Sequence, residues 1–130
     1  MTEKRGENVR ENDRRFPRSV YGVGSEPDPR FSLANERTFL SWIRTALALI
    51  AGGIALEAVV LPIQPGFRLA AAAVLIVAGI LSALQAWFGW AKIERAMRMA
   101  LPLPSSPLNA PLVVLVVVVA VLVVLGFLLR

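Results

Sequence analysis

The chain has 130 residues, 56% of them apolar, a formal charge of +5, and neither histidine nor cysteine. Those absences exclude disulfides, thiolate nucleophiles, imidazole bases and the usual zinc or haem ligands. The positive charge does not describe a nucleic-acid-binding arm, because residues 1–37 carry eight Lys/Arg against seven Asp/Glu and the excess flanks the apolar segments instead.

Residues 1–27 are polar and charged, and Val9, Phe16 and Tyr21 stand there without a helical or strand period. So little apolar surface does not offset the entropy of ordering, and a disordered cytoplasmic tail is expected. Residues 28–130 read as one transmembrane domain. The first apolar run begins only near Thr38, which predicts that the first helix is its own insertion signal. Asp28-Pro29 supplies a cap and a first helical residue, or Ser32 caps a later start. The first span covers about residues 38–61, which at 1.5 Å per residue reaches about 36 Å and crosses a bilayer with some tilt.

Pro62, Pro65 and Gly66 interrupt the chain between Leu61 and Arg68 and predict a tight reversal. A second span follows over about residues 69–91 and continues as a helix towards Met99, with Trp87 and Trp90 as an aromatic belt near its cytoplasmic end. Pro102, Pro104, Pro107 and Pro111 make an extended linker. The third span, about residues 112–129, is nearly pure Val and Leu, and reads as a lipid-facing wall. The fold class is therefore all-α integral membrane with three transmembrane helices. Lys92, Arg95 and Arg98 join the basic N-terminal segment on one side, against Arg68 and Arg130 on the other. That asymmetry places the N-terminus inside and the C-terminus outside.

The polar residues of the first two spans carry the functional reading. Arg37, Ser41 and Arg44 share a face that continues through Ala48, Gly52 and Ala55, and Ala78, Ser82, Gln85, Gly89 and Lys92 make a matching stripe. Packed together, these stripes predict a basic cytoplasmic vestibule of Arg37, Arg44, Lys92 and Arg95. Its guanidinium forks suit a phosphate-like anion. Arg44 alternatively only snorkels to the interface. Glu36 and Glu94 are either ion-pair partners for Arg95 and Arg37 or solvated surface groups. Glu57 either marks the outer interface or meets Arg68 across the hairpin, and Gln85 is expected to hydrogen-bond between helices.

The stretch Leu33–Thr45, within LANERTFLSWIRTALALI, resembles the YidH-like bacterial inner-membrane proteins, grouped as domain of unknown function 202. The resemblance covers about residues 28–130. That domain is in turn similar to the membrane region of the eukaryotic vacuolar transporter chaperone complex. This likeness implies a ring of subunits, five by analogy, around a polyphosphate path with a basic cytoplasmic mouth. Arg37 carries over by motif, and Arg44, Lys92 and Arg95 by position. No counterpart of that complex's separate polyphosphate-synthesising or phosphate-sensing domains is expected within these 130 residues.

The expected function is a multi-pass protein of the bacterial inner membrane that forms a homo-oligomer and binds or conducts a phosphate-like anion. The alternative is an accessory protein that binds anionic lipid or a partner membrane protein through the same face. Catalysis is not expected, because Ser32, Ser41 and Ser82 have no histidine to activate them. No cofactor, metal or nucleic acid is called for.

Overall fold

A computed structural model describes residues 14–104 and 109–130. Among the described residues four helices succeed one another, α1 (Arg18–Tyr21), α2 (Pro29–Ala58), α3 (Pro65–Arg98) and α4 (Asn109–Leu128), and there is no strand. The last three are long and apolar enough to cross a membrane. At 1.5 Å per residue, α2 and α3 reach about 45 and 51 Å. Both therefore outrun a hydrocarbon core of about 30 Å. Their polar ends project past it where α2 begins and α3 finishes, here called the charged end.

Helix boundaries follow their caps. The Asp28 carboxylate accepts the backbone N–H of Arg30 at 2.9 Å, with Pro29 as the first helical residue. Gln64 does the same for α3, accepting from Phe67 N at 3.0 Å ahead of Pro65. So α3 starts before the expected Leu69: Pro65 and Gly66, read as breakers, sit in a first turn that needs no donor. Pro111 likewise falls in the first turn of α4, which begins before the expected Leu112. At its far end, α2 stops at Ala58 and not at Leu61.

Small residues join α2 to α3. Asn35, Ala46 and Gly53 of α2 are buried, as are Ala71, Ala72, Ala78, Gly79, Ser82 and Ala86 of α3. A Cβ on Gly53 would fall 2.8 Å from the Ala72 carbonyl, and one on Gly79 would fall 2.8 Å from the Ala46 carbonyl. Each helix thus offers a glycine where the other's backbone arrives. Apolar side chains gain little by leaving lipid, so such close backbone contact is what holds membrane helices together.

The helix α4 packs against α3. Its buried Gly126 receives Ile63 in the space a side chain would fill, and Gln64 N donates to the Gly126 carbonyl at 2.9 Å. Glu57 and Arg68 pair at 3.3 Å across the α2–α3 hairpin, which selects the second of the two readings of Glu57. Most of the valines of α4, Val113, Val117 and Val121 among them, stay exposed in the protomer.

Candidate functional site

Polar chemistry gathers at the charged end, on the seam between the start of α2 and the end of α3. Pro29 sets the register of α2 so that Ser32 and Asn35, three residues apart, both face α3. Ser32 Oγ donates to Glu94 Oε1 at 2.8 Å. Asn35 Nδ2 donates to Glu94 Oε2 at 3.3 Å and to the Trp90 carbonyl at 3.1 Å. Asn35 and Glu94 are almost wholly buried, at 6% and 4% exposure. A buried side-chain network of this kind fixes helix register because a slip leaves each member unsatisfied.

A second group of contacts fastens residues 15–26 to the end of α3. Arg98 is buried. Its Nε donates to the Val23 carbonyl at 3.0 Å, Nη2 to the Tyr21 carbonyl at 3.0 Å, and Nη1 to Glu26 Oε1 at 3.3 Å. Arg95 Nη1 reaches the Ser19 carbonyl at 3.2 Å, and Arg15 pairs with Glu26. Gly24 adopts a left-handed conformation at φ 61° and lies against the Arg98 carbonyl, where a Cβ has no room. The hydrogen bond from Arg15 above all, opposed by burial and reinforced by the hydrogen bond from Arg98, holds the Glu26 carboxyl below its ordinary range. Burial, followed by the nearby Glu94 charge, pushes the Tyr21 phenol up. Val20 is buried, Phe16 stacks on Trp87 at 6.2 Å, and Tyr21 meets Trp90 at 6.2 Å.

The expectation of a disordered tail over residues 1–27 is therefore corrected for residues 15–26. Isolated aromatic residues carry no period of their own, but they find partners on a helix that the chain reaches some seventy residues later. Residues 1–13 lie outside those described.

The expected vestibule does not assemble within one protomer. Arg37 and Arg44 are exposed and have no hydrogen bond or ion pair with any described residue. Lys92 lines a cavity of about 220 Å³ beside Asn35, Thr38 and Gln85, whereas Arg95 turns to the N-terminal segment. The two carboxylates differ: buried Glu94 follows neither of its expected readings, and Glu36 follows the solvated one. Glu94 is held by Ser32 and Asn35 and not by Arg37, and Glu36 is exposed with no ion pair to a described residue.

Of the expected packing stripe, Ser82 is buried in the seam and Gln85 and Gly89 are partly buried, but Ser41, Ala48 and Gly52 face outward. The seam uses the neighbouring stripe of α2, through Asn35, Ala46 and Gly53. Gln85 does not bond between helices: its Oε1 is buried without a partner among the described residues.

Sequence reasoning missed the network of Ser32 and Asn35 with Glu94, and the separate contacts of Arg98 with the N-terminal segment. Asn35 carried a usable signal, since it stands seven residues before Trp42 and eleven before Ala46, on the face that packs. Arg98 carried none, because two of its three acceptors are backbone carbonyls, which every residue has, and the third, Glu26, lies 72 residues away.

Comparison with known proteins adds three findings. The model of the domain of unknown function DUF202 matches residues 30–96. The inner membrane protein YidH of Escherichia coli is 41% identical over 108 residues, covering 77% of this chain and 90% of YidH. An uncharacterized protein of Mycobacterium tuberculosis is 46% identical over 97 residues, covering 74% of this chain and 80% of its own. No solved structure matches. The matched region takes in all of the seam, from Ser32 to Glu94, and stops short of Arg98.

Proposed function

The chain belongs to the DUF202 family, and on that footing we propose a multi-pass inner-membrane protein whose copies associate through the outward face of α2. In this reading the N-terminus is cytoplasmic and the C-terminus outside, as the distribution of Lys and Arg favours. The assembled copies bring Arg37 and Arg44 together into a basic mouth that binds, or passes, a phosphate-like anion.

One observation carries the reading. The α2 face bearing Arg37, Ser41, Arg44, Ala48 and Gly52 is left exposed by the protomer, although it is charged at one end and lined with small residues thereafter. An arginine deep in a bilayer costs roughly 2.5–3.5 kcal/mol on insertion scales, and small residues allow a second helix to come close. A neighbouring copy supplies both a helix for the small residues and a shared aqueous mouth for the charges.

Native mass measurement on protein released from nanodiscs tests the association directly, and a single closed stoichiometry is expected. In liposomes, Arg37→Glu and Arg44→Glu should then each abolish phosphate or polyphosphate binding and flux. A monomer across several mild detergents would sink this proposal.

A second reading has its own support in the exposed valine faces of α4, which suit a different membrane protein as neighbour. On that reading the arginines hold anionic headgroups, and charge reversal lowers partner or lipid association without any effect on anion flux.

A further inference from the structure

On one side the Asn35–Glu94 seam opens into a cavity of about 250 Å³. Its walls include the rings of Tyr21, Phe39, Trp87 and Trp90, and its polar groups include the carboxylates of Glu36 and Glu94. Trp90 is the hub of the rings, with centroids 5.4 Å from Trp87, 6.2 Å from Tyr21 and 6.4 Å from Phe39. Aromatic faces carry negative electrostatic potential, and two carboxylates add to it.

The charge balance around Glu94 is incomplete. Both of its oxygens accept hydrogen bonds, but the donors Ser32 and Asn35 are neutral. The nearest cations in sequence are directed elsewhere: Lys92 lines the other cavity beside Thr38 and Gln85, Arg95 reaches the Ser19 carbonyl, and Arg98 binds Glu26 and two backbone carbonyls. Arg15 and Arg98 do lie over the Tyr21 ring, at 4.5 and 5.4 Å, but both also bind Glu26. Glu94 also sits in the last two turns of α3, where the helix end contributes further negative potential. A carboxylate buried with neutral donors alone is costly, and a cation in the cavity would offset that cost.

The walls decide which cation. A hard metal ion asks for six or more oxygen ligands, whereas this cavity offers mainly ring faces. Ring faces and carboxylates together recognise an alkylated ammonium group.

We propose that this cavity binds an alkylammonium group, with Glu94 at its base and Glu36 at its rim as counter-charges and Trp90, Trp87, Tyr21 and Phe39 as walls. The group is carried either by an aminolipid headgroup at the membrane surface or by a small soluble amine.

The test titrates choline into the full-length protein in phosphatidylglycerol nanodiscs, following tryptophan fluorescence. The control is the neutral isostere of choline with carbon in place of nitrogen. Choline should give a saturable response and the isostere none. Glu94→Gln keeps the shape of the side chain and should weaken choline binding by about ten-fold or more. Glu36→Gln changes an exposed residue that the fold does not use, and should weaken it by roughly two- to five-fold. Glu36→Gln alone decides the matter if Glu94→Gln fails to fold.

Equal responses to choline and its isostere would overturn the proposal, as would wild-type affinity in the folded variants. Repeating the titration in nanodiscs half composed of phosphatidylethanolamine separates the sources. Weaker apparent choline binding there identifies the lipid amine as occupant, and unchanged binding identifies a soluble amine.

Discussion

The guanidinium of Arg98 holds two backbone carbonyls and one carboxylate of a segment that precedes it by more than seventy residues. The two carbonyls take no other hydrogen bond from a described residue, and Glu26 keeps only Arg15, which belongs to the same segment, so Arg98→Ala should release residues 15–26 while leaving the three long helices intact. Hydrogen bonds to a charged donor are worth about 1.5–3 kcal/mol, so amide exchange over Tyr21–Glu26 should quicken by at least about ten-fold. The same contact predicts a pH dependence. Glu26 is held below its ordinary value of 4.5 when docked, so its contribution is fully present above that pH. It is lost as the pH falls through the lower value of the docked state. The protection factor over residues 15–26, which removes the intrinsic pH dependence of exchange, should therefore be flat from neutrality down to about pH 4.5 and fall on further acidification. A flat profile throughout would mean that Glu26 does not help to hold the segment.

At the scale of the element, the decisive contact is the glycine crossing of α2 and α3. Gly53→Leu or Gly79→Leu must drive the backbones apart, and overpacking of this sort costs about 1–3 kcal/mol. Stability in mild detergent should fall for either substitution, while Gly52→Leu, one residue away and outward-facing, should leave it nearly unchanged. This pair also marks how far the sequence could be read. The three spans were legible because long apolar runs bounded by Pro, Gly and charge allow no other structure. The packing face was not, because Gly52 and Gly53 offer small-residue stripes in two directions. Periodicity identifies both stripes and cannot rank them. Depth and register were decided instead by Asn35 meeting Glu94, a single polar contact between residues 59 positions apart. The vestibule reading failed within the protomer for the same reason, since it rested on the stripe that turns outward.

For the whole molecule the question is what covers that outward stripe. The chain has no cysteine, so single substitutions report neighbours without interference. Under a mild oxidant, Ala48→Cys and Gly52→Cys should give cross-linked dimers in membranes, whereas Ala72→Cys, buried in the seam, should not. Cross-linking at Val117→Cys but not at Ala48→Cys would shift the contact between copies to α4 and leave Arg37 and Arg44 to the lipid.

The clasp between the N-terminal segment and Arg98 also bears on how the protein is made. Residues 15–26 leave the ribosome long before Arg98 exists, and the two meet only when an even number of crossings lies between them. A nascent chain with α2 alone inserted, or with α3 failing to return, keeps this segment and Arg98 on opposite sides of the bilayer. Closure of the clasp is thus a built-in record that the first hairpin has been threaded in full. Until then, the exposed arginine and the unmatched carbonyls mark the product as unfinished.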